Sequence, residues 1–300
     1  MTVRVTDSGM ANIRRTWIAE GRTRIAEVER ALSSGLQMNQ PSDNPTATAS
    51  LLRHEVRLQR IDQYQRNGDN ARIWIGTADQ ALQSAANNLG RAKTLAVQAG
   101  NGIMGSVERS ALASDIRSIA DGLLTIGNTK VSGRAIFAGT EDTPQAYDTN
   151  GLYLGDNGAV ERTIDSNEVV AVGATGPEVF GTSDPGDPMN GSVFEALQAL
   201  ADAVDIGDLV EVRVGIEAVD VAMARVGSAQ GRVGAVSQQL DAAGHRHGGE
   251  TLAVQANVSQ IRDTDMAEAI IRLRSAEGSY EATLAATARG LSRSLIDFLR

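Results

Sequence analysis

The chain has 300 residues, a formal net charge of −9 at pH 7 and no cysteine, which excludes disulfides, thiolate metal sites and cysteine nucleophiles. Aromatic residues make up only 3% of it, so small and aliphatic side chains must fill the interfaces, as in closely packed helices. The sequence contains no run of eighteen apolar residues, and its first fifteen residues lack the apolar core of a secretory signal. We therefore expect no membrane span, and either a cytosolic location or another export route.

Negative charge is concentrated in the middle of the chain. Residues 1–60 carry a net charge of +3, residues 61–133 of +1, residues 134–210 of −12 and residues 211–300 of −1. This distribution is typical of a solvated outward domain. It disfavours nucleic-acid binding, because no basic stripe is available for phosphates.

The first predicted element is an Arg-rich helix within residues 1–38. Gly9 and Gly21 interrupt its narrow apolar stripe, so we expect it to be marginal alone. Residues 33–35 are a predicted stop. The apolar positions of the stripe are Met10, Ile13, Trp17, Ile25, Val28 and Leu32.

The second predicted element is a long helix from about Ala47 to Ala99. A turn at residues 41–45 precedes it, and Thr46 or Ser42 can cap it. Its small and apolar residues follow steps of three and four without a slip, which predicts a coiled-coil seam. They are Ile61, Tyr64, Gly68, Ala71, Ile75, Ala78, Leu82, Ala85, Leu89, Ala92, Ala96 and Ala99.

A third helix is predicted to end near Lys130 and to pack antiparallel to the second. From about residue 134 to 190 the helical periodicity is lost, and short apolar runs separated by turn residues predict strands. Residues 155–158 have the composition of a hairpin loop between two of these runs. We interpret this stretch as a small β-rich insert.

Helix returns after residue 190 and continues as a second long rod. Gly227, Gly231 and Gly234 lie on this rod and predict close helix packing, whereas residues 244–249 are expected to interrupt it. Asp263-Thr264-Asp265 is a predicted N-cap of the last helix. The heptad pattern of that helix comprises Met266, Ile270, Leu273, Glu277, Tyr280, Leu284, Ala288, Leu291, Leu295 and Phe298.

One cluster could indicate metal binding, namely His245, His247 and Glu250. We interpret it as a polar helix break, because no further ligand cluster accompanies it. Neither a phosphate-binding loop nor a Ser-His-acid set is recognisable. The sequence therefore predicts no catalytic, metal or cofactor site.

The predicted fold is mainly α, with long antiparallel coiled-coil helices from both chain ends forming a rod and a small β-rich inserted domain. Residues 1–45 and 262–300 would form a terminal-helix coiled coil. Residues 46–133 and 205–261 would form a helical rod domain, and residues 134–204 an outward insert.

Several motifs, in the right order, resemble the flagellin superfamily, and the turn at 41–45 and a strand at 137–140 are similar to its hook–filament junction proteins. The resemblance covers roughly residues 1–140 and 205–300. The motifs are residues 30–35, 41–45, 63–67, 77–82, 91–98, 133–140, 261–270 and 294–299.

This resemblance implies a structural protein without cofactors, exported unfolded from the cytoplasm by the flagellar type III route to the extracellular flagellum. Its partners would be other copies in a ring, the hook-side junction protein, flagellin, and an export chaperone on the last helix. The chaperone is expected to cover Leu284, Leu291, Leu295 and Phe298.

Three alternatives stay open: a short flagellin that polymerises into the filament, an enzyme housed in the acidic insert, and a cytosolic coiled-coil adaptor. Our hypothesis for assembly is that the two terminal helices, weak alone, become ordered only on meeting each other and neighbouring subunits.

Overall fold

The structure, a computed structural model, describes residues 7–38, 40–42, 44–101, 104–182 and 191–298; side chains are described at residue 9 and in 12–38, 40–42, 44–100, 104–182 and 191–289. These residues are mainly helical, as predicted, with two small antiparallel sheets. The helices are α1 (Asp7–Ser34), α2 (Pro45–Asn101), α3 (Ser106–Gly127), α4 (Gly176–Phe180), α5 (Val193–Ile206), α6 (Leu209–Arg262) and α7 (Met266–Phe298). The strands are β1 (Lys130–Val131), β2 (Arg134–Ala135), β3 (Glu161–Asp165) and β4 (Glu168–Ala171).

The chain divides into two compact units. Unit 1 comprises residues 1–59 and 250–300, and unit 2 comprises residues 60–249. Both ends of the chain therefore belong to one unit, and the whole of the middle belongs to the other.

In unit 2, α2 and α6 run antiparallel. Arg72 Nη2 donates to the carbonyl oxygen of Leu240 at 2.9 Å, and Lys93 pairs with Asp220. The heptad prediction for α2 is confirmed, because from Ile61 to Ala99 its positions are buried, apart from the half-buried Tyr64. The alternation of leucine, isoleucine and alanine along this seam lets the helices approach closely.

Helix α3 packs on α5, with Arg117 Nη2 2.8 Å from Asp202 Oδ1. It ends at Gly127, three residues before the predicted end. Asn128 explains the stop, since its Oδ1 accepts hydrogen bonds from the backbone N–H groups of Ala146 and Tyr147. That side chain draws the returning chain against the helix end, and a Cβ at Gly127 would lie 3.1 Å from the Tyr147 ring.

An aromatic cluster organises the segment between α3 and α5. It contains five of the ten aromatic residues of the chain. The Tyr147 ring lies 4.9 Å from that of Phe194 and 5.3 Å from that of Tyr153. Burial raises the pKa of Tyr147, and raises that of Tyr153 to about 12. The members are Phe137, Tyr147, Tyr153, Phe180 and Phe194.

The β3–β4 strands lie within the stretch predicted to be β-rich, close to its apolar runs at 159–164 and 169–172, but the turns around them differ from the prediction. β3 and β4 form a hairpin whose turn is Ser166-Asn167, so the predicted hairpin loop at 155–158 is wrong. Instead, the Asp156 carboxylate accepts hydrogen bonds from the backbone N–H groups of Thr140 (2.6 Å) and Gly158 (3.1 Å). The predicted strand at 137–140 is likewise a turn, because it closes against this carboxylate.

Polar side chains of the long helices hold the β3–β4 hairpin. Asn67 Nδ2 donates to Thr163 O at 2.8 Å, and His247 Nε2 donates to Ile164 O at 2.7 Å. A carbonyl oxygen only accepts, so Nε2 of a neutral His247 carries the proton. Nδ1 of this 2% exposed residue makes no hydrogen bond within the described part of the chain.

The expected interruption at residues 244–249 is wrong, because α6 continues through it to Arg262. Leu240, Ala243 and His247 are buried in heptad steps, and this packing outweighs the weak helix propensity of the glycines. The helix instead ends at Arg262.

Glycines 227, 231 and 234 do not mediate close packing within the chain. A Cβ added to any of them would meet no atom of the described residues within 4 Å, so that prediction is wrong for this part of the chain. The close approaches occur at other glycines, such as Gly215, where a Cβ would lie 2.7 Å from Leu200 Cδ1.

Candidate assembly surface

Helices α1 and α7 pack against each other in unit 1. The expected break at Gly21 is wrong, since α1 is continuous from Asp7 to Ser34, through Gly9 and Gly21. Gly21 serves close packing, because a Cβ there would lie 2.9 Å from Tyr280 Cδ2. The missing side chain lets the tyrosine ring lie on the backbone of α1.

The turn after α1 is tied to the turn before α7. Gly35, with φ of +71°, ends α1 as predicted, and its carbonyl accepts from Thr264 N at 2.9 Å. Gln37 N donates to Arg262 O at 2.7 Å. A hydrogen bond from the Ser259 hydroxyl lowers the pKa of Asp263.

Two helix starts in unit 1 test the capping predictions. Asp265 caps α7 as predicted, since its Oδ1 accepts from Ala267 N at 2.9 Å. The cap of α2 is neither Thr46 nor Ser42. It is Asn44, whose Oδ1 accepts from Ala47 N at 3.0 Å, because Pro45 occupies the first helical position.

The facing sides of the helix pair use small residues. On α7, Ala269 and Ala276 are buried, and Leu273, Tyr280, Thr283 and Thr287 are half-buried. On α1, Ile25, Val28 and Leu32 are half-buried. Of the predicted α7 heptad, Leu273 and Tyr280 thus face α1. The other contacting positions, Ala269, Ala276, Thr283 and Thr287, each lie one residue before a predicted heptad position, namely Ile270, Glu277, Leu284 and Ala288.

Several large apolar side chains of the terminal helices are left outside the pair. Ile13, Trp17, Met266, Ile270 and Leu284 are 40 to 56% exposed. We call these five residues the terminal apolar surface. The side chains of Met10, Leu291, Leu295 and Phe298 lie outside the described residues, so their assembly role stays a prediction.

No metal or membrane-spanning feature is found in the described residues. They place no three histidine or carboxylate side chains where they could hold a metal ion. The candidate cluster residues His245 and His247, interpreted above as a helix break, lie in α6, where His247 Nε2 is hydrogen-bonded to Ile164 O. No described helix is sufficiently long and apolar to cross a membrane.

Comparison with known proteins identifies two family regions. Residues 5–142 match the bacterial flagellin N-terminal helical region, and residues 216–299 match the bacterial flagellin C-terminal helical region. Together the matches cover 222 of the 300 residues. The intervening residues, 143–215, lie outside both.

Individual relatives include proteins of the flagellar hook and filament. The chain is 27% identical over 175 residues to flagellar hook-associated protein 3 of Salmonella typhimurium, a match that covers 58% of this chain and 53% of the relative. It is 26% identical over 250 residues to flagellin FlaB2 of Treponema pallidum, covering 80% and 79%. The chain thus spans about half the length of the first relative and most of the second.

The fold is also shared with a solved structure. A flagellar hook-associated protein structure from Vibrio parahaemolyticus superimposes with a TM-score of 0.67 at 22% identity, over 74% of this chain and all of that one. At this identity the likeness concerns the fold. With both terminal regions present in order, the chain belongs to the bacterial flagellin superfamily.

Proposed function

We propose that the protein is a structural, non-catalytic component of the bacterial flagellum that forms a junction ring between the hook and the flagellin filament. The observation that carries the proposal is the terminal apolar surface. Contact of Trp17, Met266 and Ile270 with water is unfavourable, and packing against a neighbouring subunit would remove it.

The position at the junction is supported by relatives named for the hook, such as the Salmonella protein. The partners we propose are other copies of the chain, the hook-side junction protein and flagellin. Residues 1–45 and 262–300 would form the axial core, residues 46–133 and 205–261 the rod, and residues 134–204 the outward insert. The lack of a family match at 143–215 supports a variable insert.

A second candidate is a filament subunit. The match to the Treponema flagellin favours it, because that match extends over about four fifths of both proteins. The two candidates differ in self-polymerisation. Filament seeds added to the purified protein should elongate if the chain is a flagellin, and should not if it is a junction protein.

The terminal helices would complete their packing only in the assembly. Of the described α7 side chains, only Ala269 and Ala276 are buried, while Leu273 and Tyr280 are half-buried; this is a small apolar gain against the chain entropy of a long helix. Hydrogen exchange on the monomer tests this. We expect weak protection of residues 12–38 and 266–289, and strong protection in a monodisperse sample would contradict it.

Export would bring the chain from the cytoplasm to the extracellular flagellum through the flagellar type III channel. An export chaperone would cover the last helix at Leu284, Leu291, Leu295 and Phe298. Leu284→Ser should then weaken co-purification with such a chaperone, whereas Leu154→Ser, at an exposed leucine of unit 2, should leave it unchanged.

Deletion of the protein provides the decisive experiment. Hooks should still form, filaments should be absent, and flagellin should accumulate in the medium. Returning the double variant Trp17→Ser/Ile270→Ser should fail to restore filaments although the chain is secreted, while Leu154→Ser should restore them. Filaments on hooks that lack the protein would refute the proposed role.

A further inference from the structure

One end of unit 2 carries four exposed aliphatic side chains. They come from the first turn of α3, the last turn of α5 and the first two residues of α6, and they are 49 to 82% exposed. Single exposed aliphatic residues are ordinary, but a group of four at one end of a helix bundle indicates an interaction surface. This end patch consists of Val107, Ile206, Leu209 and Val210.

Arg109 fixes the geometry of the end patch. Its Nε donates to Asp205 O at 3.3 Å, and its Nη1 donates to Met104 O at 3.0 Å. The same guanidinium lies beside Gly207, where a Cβ would be 3.1 Å from Nε. The helix ends that carry the patch are thus joined before any partner binds, which lowers the entropy lost on docking.

Carboxylates predominate around the end patch. Residues 104–113 and 205–213 contain four acids and two arginines, and the half-buried Arg109 is directed to carbonyl oxygens. Two end patches facing each other would oppose these carboxylates, which is unfavourable. The fitting partner is therefore an apolar surface with basic neighbours. The acids are Glu108, Asp205, Asp208 and Glu211; Arg117 Nη2 lies 3.7 Å from Asp205 Oδ2, so the acidic surplus comes from the other three.

The α2 segment in unit 1 has such a surface at Leu52 and Val56. These residues are one turn apart on the same side of the helix, and both are more than half exposed. Arg53, Arg57 and Arg60 lie in the same stretch, against the single acid Glu55 in residues 51–60. Arg57 is paired with Glu250 at 2.6 Å, so the basic surplus comes from Arg53 and Arg60.

We propose that the end patch of one copy docks on the Leu52–Val56 surface of a second copy. The contact joins two different surfaces, so it is head-to-tail and its repetition generates a ring or a helical array. This contact rests on the proposed function only in assuming that copies of the chain assemble with each other. It adds to that function the identity of the two surfaces that meet.

Single cysteines test the contact directly, because the chain has none of its own. Full-length Val210→Cys and Leu52→Cys are mixed in equal amounts at high concentration under mild oxidation. We expect the mixed disulfide dimer to exceed both homodimers. It should also exceed the mixed dimer from Leu154→Cys and Leu52→Cys, since Leu154 is an exposed leucine of unit 2 outside the patch.

Charge reversal tests the electrostatic part. Glu211→Arg on the Val210→Cys chain should lower the yield of mixed dimer by about two- to fivefold, as expected for an exposed ion pair. Arg53→Glu on the Leu52→Cys chain should then restore it. Raising the salt concentration should lower the yield of the unmodified pair.

Three results would overturn the proposal. The first is a predominant Val210→Cys homodimer. The second is a higher yield of mixed dimer when Val210→Cys is combined with Trp17→Cys than with Leu52→Cys. The third is a yield of the Val210→Cys/Leu52→Cys dimer no higher than that of the Leu154→Cys/Leu52→Cys control. The deletion experiment separates this contact from the proposed function. If the deletion abolishes filaments but the cysteine variants form no mixed dimer, only the contact is rejected. If the mixed dimer forms but the deletion leaves filaments intact, only the junction role is rejected.

Discussion

Gly21→Val would test the pairing of α1 and α7, which orients the terminal apolar surface. A Cβ at this position would lie 2.9 Å from Tyr280 Cδ2, whereas carbon atoms pack best at about 3.5–4.0 Å. Overpacking of this kind costs about 1–3 kcal/mol, and the better helix propensity of valine returns only a few tenths. We expect a net loss of about 1–2 kcal/mol in the pairing of the two helices.

Hydrogen exchange of the full-length monomer measures this loss, as a decrease from the weak protection expected for the unmodified helix pair. A change of about 1.4 kcal/mol corresponds to tenfold faster exchange of amides that open with the helix pair. The increase should be confined to residues 12–38 and 266–289, because unit 2 does not contain Gly21. Melting of unit 2, followed by circular dichroism, should be unchanged.

Gly278→Val is the matched control. Gly278 lies in α7, and a Cβ there would meet no atom of the described side chains and backbone within 4 Å, so the same substitution adds no clash with them. A double-mutant cycle completes the test, since Gly21→Val should cost little when Tyr280 is already alanine. Equal exchange rates for Gly21→Val and Gly278→Val, or additive effects in the cycle, would refute the close contact between the glycine and the tyrosine.

Three further changes concern unit 2. Phe194→Ala should lower the free energy of unfolding by about 3–5 kcal/mol, measured by denaturant titration, because a buried ring of the aromatic cluster is lost. Gly227→Ala should raise it by about 0.5–1 kcal/mol, since the new methyl group meets open space, whereas Gly215→Ala should lower it. Hydrogen bonds from Thr140 lower the pKa of Asp156, so the stabilisation that Asp156→Asn removes should be present above about pH 4 and disappear as the pH falls through the depressed pKa.

Each of these changes has an outcome that would contradict it. A loss below about 1 kcal/mol for Phe194→Ala would mean that the cluster repacks around the cavity. Destabilisation by Gly227→Ala would show that its helix face is already packed in the monomer. A stability difference for Asp156→Asn that grows on acidification would have the wrong sign for a carboxyl group whose pKa is lowered.

The sequence predicted the helices best where the apolar pattern is long. The α2 seam from Ile61 to Ala99 matched the buried face because it combines an uninterrupted heptad pattern with a partner helix of similar length. In α7, the predicted heptad shares only Leu273 and Tyr280 with the described face that packs on α1. The contacting face uses Ala269 and Ala276, whose small size allows a close approach that a preference for bulky residues overlooks.

Glycine residues gave two opposite errors in the prediction of helix structure and packing. Residues 244–249 were expected to break a helix that tertiary packing maintains, and Gly227 was expected to pack closely where space is open. Local composition does not reveal what stands opposite a glycine. The role of Asp156 could not be inferred either, because its hydrogen-bond partner Thr140 is sixteen residues away in the sequence and only the tertiary structure brings the two together.

The division of the chain sets an order in which it can fold. Unit 1 is made from both ends of the polypeptide, with residues 60–249 between them. Closing a flexible loop of that length would cost about 4–5 kcal/mol in entropy. Pairing of α2 with α6 in unit 2 brings together the chain segments that lead into unit 1, where Arg57 and Glu250 form an ion pair, so the middle of the protein acts as a template for its ends. A copy with a misfolded middle would therefore fail to present a complete unit 1 and would exclude itself from the assembly.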